Sequence, residues 1–234
     1  MLKLPPLTRD QVRNIDQVAI NDYGIPGILL MENAGRRAAE IVHKLSPPGL
    51  IEILCGGGNN AGDGYVIARH LQIFGRTIRL SCVVPVDELQ GDARTNALIA
   101  QHAEIPMCWV GDRGTNSGTH TLENTAAAVV DALLGTGAHG PLRGHYSNLV
   151  SMANVHSAMR FAIDIPTGLD CDTGEASDPT FQADHTITFV ATKVGFQKNN
   201  ADKYVGVVHE VDIGAPAKLL QAVPTWNSDQ GSRD

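Results

Sequence analysis

Charged side chains are scarce in this chain. Asp, Glu, Lys and Arg make up 18% of its 234 residues, against about a quarter in an ordinary globular protein. That shortage argues against disorder and fits strands covered on both faces. A basic excess is lacking too: 18 Lys and Arg stand against 25 Asp and Glu, a formal charge of −7. The electrostatic footprint of a nucleic-acid binder is therefore missing. No apolar run approaches the length of a membrane span. The opening MLKLPPLTRD has no apolar signal core and is too acidic for a transit peptide. Only four cysteines occur, at 55, 82, 108 and 171, with no CxxC pair and no histidine at zinc-finger spacing. Three of them follow or sit within apolar runs, which reads as buried free thiols in a reducing compartment. No Asn-x-Ser/Thr sequon is present. The expectation is a soluble, cytoplasmic chain that works without nucleic acid or membrane. Absent motifs narrow the chemistry further. Without GxxxxGK[ST] a P-loop kinase is out, and the lack of GxSxG weakens an α/β-hydrolase reading. The nine histidines show no HExxH or similar metal spacing.

What is present begins with helices. Thr8 and Gln11 stand at capping-box spacing, and Val12, Ile15, Val18 and Ala19 recur along one helical face. Tyr23-Gly24-Ile25-Pro26 stops that helix. Pro26 suits the first turn of a second one, with an apolar stripe of Leu30, Ala34, Ala38, Ile41 and Leu45 that ends at Ser46-Pro47-Pro48-Gly49. Strands and helices then alternate. Strands are expected at Leu50–Leu54, Thr77–Val84, Met107–Val110, Ala126–Leu134 and Arg160–Ile165, and helices at Tyr65–Phe74, Asp92–Ala103 and His145–Val155. His185–Val190 and Val205–Ile213 would add edge strands. Such alternation implies parallel pairing through right-handed crossovers. The predicted fold is a Rossmann-like three-layer α/β/α sandwich with a mostly parallel central sheet and two leading N-terminal helices. A chain of this length buries roughly 70% of its unfolded surface. We read residues 1–223 as one domain, with Gly111–Thr121 its most loop-like interior stretch, and residues 224–234 as a disordered tail.

In an open parallel sheet, ligands gather beyond the carboxyl ends of the strands. Three polar, glycine-bearing segments fall there. CGGGNNAGDG carries Gly56-x-Gly58-x-x-Ala61, a loose dinucleotide fingerprint between a strand and a helix. Asp63 would oppose a phosphate, however, and Asn59 and Asn60 add carbonyl oxygens, so the loop suits a hydroxylated ligand or an oxygen-liganded cation equally well. A plain strand-to-helix turn capped by Asp63 is the bland alternative. In VVDALLGTGAHGP, Asp131 interrupts an apolar strand, where a carboxylate is costly unless paired or coordinated. It either ligates a cation or caps a neighbouring turn, and Gly135-Thr136-Gly137 and Gly140 form either an anion-holding loop or an ordinary crossover. In FAIDIPTGLDCDTG, Asp164 interrupts another apolar strand. Ile165 precedes proline and must stay extended, which holds Asp164 and Thr167 on a stiff segment. A carboxylate there can serve as general acid or base. Asp170 and Asp172 are assigned to turns, and Lys193 to solvent.

The segments MENAGRRAAEIV, CGGGNNAGDGYVIARHL, VVDALLGTG, AIDIPTGLD and HEVDIGAP resemble, in order and spacing, the YjeF N-terminal domain family. The resemblance runs from the first helix to about Pro216. It implies epimerisation of the R and S forms of NAD(P)HX, nicotinamide cofactor hydrated at ring carbon six, with the S form passed to a separate ATP- or ADP-dependent dehydratase. It also implies one potassium ion per subunit, held at the positions of Asn60, Asp131 and Thr167. Substrate contacts would fall on Asn59, Asn60, Ala61, Gly62 and Asp63, on Gly135, Thr136, Gly137, Ala138, His139, Gly140 and Pro141, and on Asp164. Asp164 is assigned the proton transfers. A homodimer is implied, for which the two N-terminal helices offer a face. The family loop usually reads GPGNNGGDG, so Gly57 and Ala61 are departures, as are Thr167 for serine and Val194 within a usual Lys-Pro-Gly. The chain is expected to lack the dehydratase domain fused in many bacterial members. Two rival readings are a non-catalytic scaffold or binding module and an NAD(P)-dependent oxidoreductase. The set Asn60, Asp131, Asp164 and Thr167 argues against the first, and the lack of a Tyr-x-x-x-Lys pair against the second.

Overall fold

A computed structural model describes residues 3–110, 122–198 and 200–223. The interior stretch Gly111–Thr121 and the tail 224–234 lie outside the described residues. Seven parallel strands form one sheet in the order β3-β2-β1-β4-β5-β6-β7. They are β1 (Leu50–Cys55), β2 (Ile78–Cys82), β3 (Met107–Trp109), β4 (Ala126–Ala132), β5 (Met159–Ile163), β6 (His185–Phe189) and β7 (Val207–Val211). The α/β fold expected from the alternating pattern is present. Of the two late strands expected at edges, only β7 is one, because β6 pairs on both sides, with β5 and β7.

The order of strands reverses between β1 and β4, which opens a crevice beyond their carboxyl ends. Everything that follows depends on that crevice. Helices α1 (Arg9–Asn21) and α2 (Gly27–Leu45) precede the sheet. The capping box of Thr8 and Gln11 forms, and Val12, Ile15 and Ala19 are buried as the spacing requires. Around the turn between these helices Ile20, Tyr23 and Leu29 stay exposed. The remaining long helices are α3 (Asn59–Ile73), α4 (Gly91–His102) and α5 (His145–Val155); α6 (Asp202–Val205) and α7 (Ala217–Ala222) are short. Among the described residues no helix is long and apolar enough to cross a membrane.

Helix α3 starts six residues earlier than the apolar pattern predicts. The segment NNAGDG is its first two turns, not a loop. Glycine is a poor helix former, and here packing overrides the propensity. A Cβ on Gly62 would stand 2.6 Å from Met31 Sδ, one on Gly64 2.8 Å from Ala132 Cβ, and one on Gly35 of α2 2.5 Å from Val66 Cβ. Glycines at these points let α3 seat closely against α2 and the sheet, which presses its N-terminus into the crevice.

Cys55, Cys82 and Cys171 are buried and Cys108 is half-buried, and all four are free thiols. Strand β5 stops at Ile163, two residues before its predicted end, because Asp164 takes a left-handed backbone, φ 65°. The stretch ahead of β7 is the short helix α6, so the run from Val205 is extended only from Val207 to Val211.

Candidate active site

The three segments singled out in the sequence meet at the β1/β4 crevice. Gly58 caps α3 without a side-chain bond, and Asp63 sits a full turn inside the helix, so the reading of Asp63 as a cap is wrong. Asn59 is exposed; Asn60, Ala61, Gly62 and Asp63 are buried. Ala61 belongs to the main hydrophobic cluster, so its methyl faces core. Gly62 faces Met31 and α4. What these two residues offer a ligand is backbone alone.

Asn60 is the anomaly of the segment. Neither its amide oxygen nor its amide nitrogen has a hydrogen-bond partner, although both are buried. Such atoms are costly unless something completes them. Gly135 lies against Asn60: a Cβ there would be 3.4 Å from Asn60 Cβ and 3.9 Å from its Oδ1. Asp131 is fully buried at the end of β4. Its Oδ1 accepts from Thr167 Oγ1 at 2.8 Å and from the Leu133 N–H at 3.1 Å, and its Oδ2 from the Thr167 N–H at 2.8 Å. Burial nonetheless pushes its pKa up to about 6, against the lowering effect of those donors. Among the described residues no group of three or more His, Cys, Asp or Glu is arranged to hold a metal ion. The oxygens here belong to an amide, a hydroxyl and one carboxylate, a hard and weakly charged set suited to an alkali cation.

Asp164 stands at the neighbouring strand end with an ion partner that the sequence reading missed. Lys193, assigned to solvent, is 0% exposed and places Nζ 2.8 Å from Asp164 Oδ1. The ammonium also donates to the carbonyls of Phe189 at 3.0 Å and Ala191 at 3.1 Å. Lys193 follows β6 on the ligand-bearing rim, and that position was its only signal. A backbone bridge ties it to Leu7, whose N–H donates to the Thr192 carbonyl at 2.8 Å. This bridge draws in α1, and with it Asp16, also unpredicted. Its one sequence signal is a carboxylate on the buried stripe between Val12 and Ala19.

Asp16 and Asp164 lie in the field of Lys193, and Asp63 feels the charges of both carboxylates. Burial raises the Asp63 pKa well above the ordinary carboxylate value, and the charges of Asp164 and Asp16 raise it further. Burial, then Asp164, raise Asp16 to about 6, with Lys193 opposing. Burial and mutual repulsion hold Asp16 and Asp63 above the ordinary carboxylate range, a perturbation typical of acid–base sites. A stability prediction follows. Through the window from 3.8, the ordinary value, to about 6, folded Asp16 keeps a proton that the unfolded chain has lost. Its contribution therefore falls as pH rises through that window, and the cost is complete above it. Asp16→Asn is expected to be more stable than wild type at about pH 7.5, with the gap shrinking as pH falls towards 4. Urea denaturation of both proteins at several pH values checks this, and a gap independent of pH would refute it.

Asp170 serves a turn, as expected: its Oδ1 accepts from the Asp172 N–H, the Thr173 N–H and the Thr173 hydroxyl. Beside the crevice, a cleft of about 700 Å³ is lined by residues 138–143, Tyr146 and parts of 168–178. It includes Ala138, His139, Gly140 and Pro141 but neither Asp164 nor Asn60. The buried carboxylates and Asn60 therefore lie at the strand ends, beside this cleft and not in its lining.

The model of the family described as YjeF-related protein N-terminus matches residues 27–195. The chain belongs to that family. Within the YjeF-related family, the NAD(P)H-hydrate epimerase of Rhodopirellula baltica is 50% identical over 221 residues, covering 94% of this chain and 89% of that protein. The protein of the same name from Pirellula staleyi is 39% identical, covering 92% and 95%. The bifunctional NAD(P)H-hydrate repair enzyme Nnr of Salinibacter ruber is 37% identical, and its alignment covers 92% of this chain but 42% of that longer protein. Among solved structures, that of yeast ynu0, YNL200c, superposes with a TM-score of 0.77 at 21% identity over 94% of this chain and 93% of that one. It shares the fold.

Proposed function

We propose that this chain is an isomerase, an NAD(P)H-hydrate epimerase that interconverts the R and S forms of hydrated NADH and NADPH. The observation that carries this reading is the 50% identity to the Rhodopirellula baltica epimerase, which extends over nearly the full length of both proteins. The crevice supports it with buried carboxylates whose pKa values are raised, beside a helix N-terminus suited to an anionic ligand.

The epimeric carbon bears a hydroxyl and a ring nitrogen, so it can pass through a planar iminium or a ring-opened aldehyde. Either route moves a proton on or off oxygen or nitrogen. We assign that transfer to Asp164, with Lys193 holding the carboxylate in place at 2.8 Å. Asp16 and Asp63, both raised above the ordinary carboxylate range, stand in the same cluster of charges. Epimerisation leaves the repair unfinished, so the S form passes to an ATP- or ADP-dependent dehydratase. A bifunctional repair enzyme such as that of Salinibacter ruber is a natural precedent for that coupling.

A potassium ion fits the orphaned oxygen of Asn60, the Asp131 carboxylate and the Thr167 hydroxyl. Its chemistry is to balance carboxylate and phosphate charge and to hold the crevice loops. The decisive experiment is a coupled assay on R-enriched NADPHX. Excess dehydratase first consumes the S form, and the protein is then added in potassium or in sodium buffer. Renewed recovery of NADPH in proportion to protein is expected, faster in potassium, and Asn60→Ala should remove the potassium advantage. A flat trace from folded protein would favour the non-catalytic binding module.

A further inference from the structure

The first helix reaches the crevice through two arginines one turn apart. Arg9 is the anchor. Its Nη2 lies 2.7 Å from Asp170 Oδ2, its Nη1 lies 2.7 Å from His139 Nδ1, and its backbone N–H donates to Asp172 Oδ1 at 2.8 Å. Residues i and i+4 share a helix face, so Arg13 follows Arg9 towards the same loop. A Cβ built on Gly137 would be 3.5 Å from Arg13 Nη2, which sets this guanidinium directly over the Gly135–Gly137 turn. Arg13 is exposed, and among the described residues it has no carboxylate partner.

Among the described residues, the cations beside Asp164, Asp170 and the neighbouring cleft are already committed. Arg9 serves Asp170 and Asp172. Lys193 is fully buried against Asp164. Arg143 lies past Pro141 in the neighbouring cleft, where Asp170, Glu175 and Asp178 make a lining that repels a polyanion. A dinucleotide brings at least two phosphate charges to a crevice that already holds Asp16, Asp63 and Asp164. Its charge has to be met from the rim, and a guanidinium is well shaped for phosphate oxygens.

Resting on the epimerase reading, we propose that Arg13 is a phosphate contact for the dinucleotide and makes the first helix a wall of the substrate site. The contact is either to the pyrophosphate, common to both substrates, or to the 2′-phosphate, which only NADPHX carries.

The test is steady-state kinetics on NADHX and NADPHX for wild type, Arg13→Gln, Arg13→Lys and Arg36→Gln, together with calorimetric binding of ADP-ribose and 2′-phospho-ADP-ribose. Arg36 is an exposed cation on α2 paired with Glu40 at 3.3 Å, and its loss controls for net charge. Arg13→Gln is expected to raise KM roughly tenfold while kcat is largely kept, with Arg13→Lys in between and Arg36→Gln like wild type. An equal rise for both substrates assigns the pyrophosphate, and a rise for NADPHX alone assigns the 2′-phosphate. Unchanged KM in an active Arg13→Gln protein, or an equal rise in Arg36→Gln, overturns the proposal and leaves the epimerase reading intact. Should wild type itself turn over neither substrate, that reading fails and calorimetry decides. Binding weakened by Arg13→Gln upholds the phosphate site, whereas equal or absent binding overturns it.

Discussion

Asp164→Asn is expected to lower kcat/KM for epimerisation by about three orders of magnitude, the middle of the range for removal of a general acid–base group. The protein should stay folded, for a specific reason. Residue 164 has φ 65°, a conformation that Asn tolerates better than most other side chains with a Cβ. The amide oxygen can still accept from Thr188 Oγ1 and the Phe189 N–H, both 3.4 Å from the present carboxylate. Lys193 keeps its two carbonyl acceptors and the opposite charge of Asp16. What the variant loses is a group that can take and return a proton. Kinetics in the coupled assay, with thermal melts alongside, separate chemistry from folding. Near-wild-type turnover by a folded Asn variant would remove Asp164 from the proton transfers.

Lys193→Met should act on both stability and activity. Methionine matches the length of the side chain but removes the ammonium that pairs with Asp164 and lies in the field of Asp16. Breaking a buried pair by deleting one partner costs about 3–5 kcal/mol. For a chain of this size that lowers Tm by roughly 10 °C. Asp164→Asn introduced together with Lys193→Met should recover part of the loss, because the unpaired buried charge goes with it. Denaturation of the two single variants and the double one closes the cycle. Additive losses would mean that the 2.8 Å contact between Lys193 and Asp164 contributes no coupling.

The comparison of sequence with structure divides by physical cause. Asp131 and Asp164 were legible because carboxylates that interrupt apolar strands are costly without a task. Asn60 was legible as a carbonyl oxygen in a polar glycine loop and Thr167 as a hydroxyl on a stiff segment, and the ion-holding role of both rested on the family resemblance. The topology then brings the ends of β1, β4 and β5 side by side. The burial of Lys193 was not legible: nothing local in ATKVGF distinguishes a buried lysine from a solvated one, and its burial depends on the carbonyls of Phe189 and Ala191 at and just past the end of β6 and on the Asp164 carboxylate just past β5. The early start of α3 was hidden for a related reason. Glycine reads as loop by propensity, and only the approach of Met31, Val66 and Ala132 shows that a helix needs those glycines for clearance. Asp16 and Arg13 belong to a helix ahead of all the recognised loops, and no local pattern connects it to them.

That connection runs through the pairing of Leu7 with Lys193, which also returns a hydrogen bond from the Val194 N–H to the Leu7 carbonyl at 3.0 Å. The bond joins the beginning of the described chain to a segment near its other end. During synthesis α1 emerges long before the segment around Lys193 that it is tied to. The crevice is therefore a closing stitch of the fold: its acid–base cluster comes into being only when the segment ahead of α1 meets the one that follows β6.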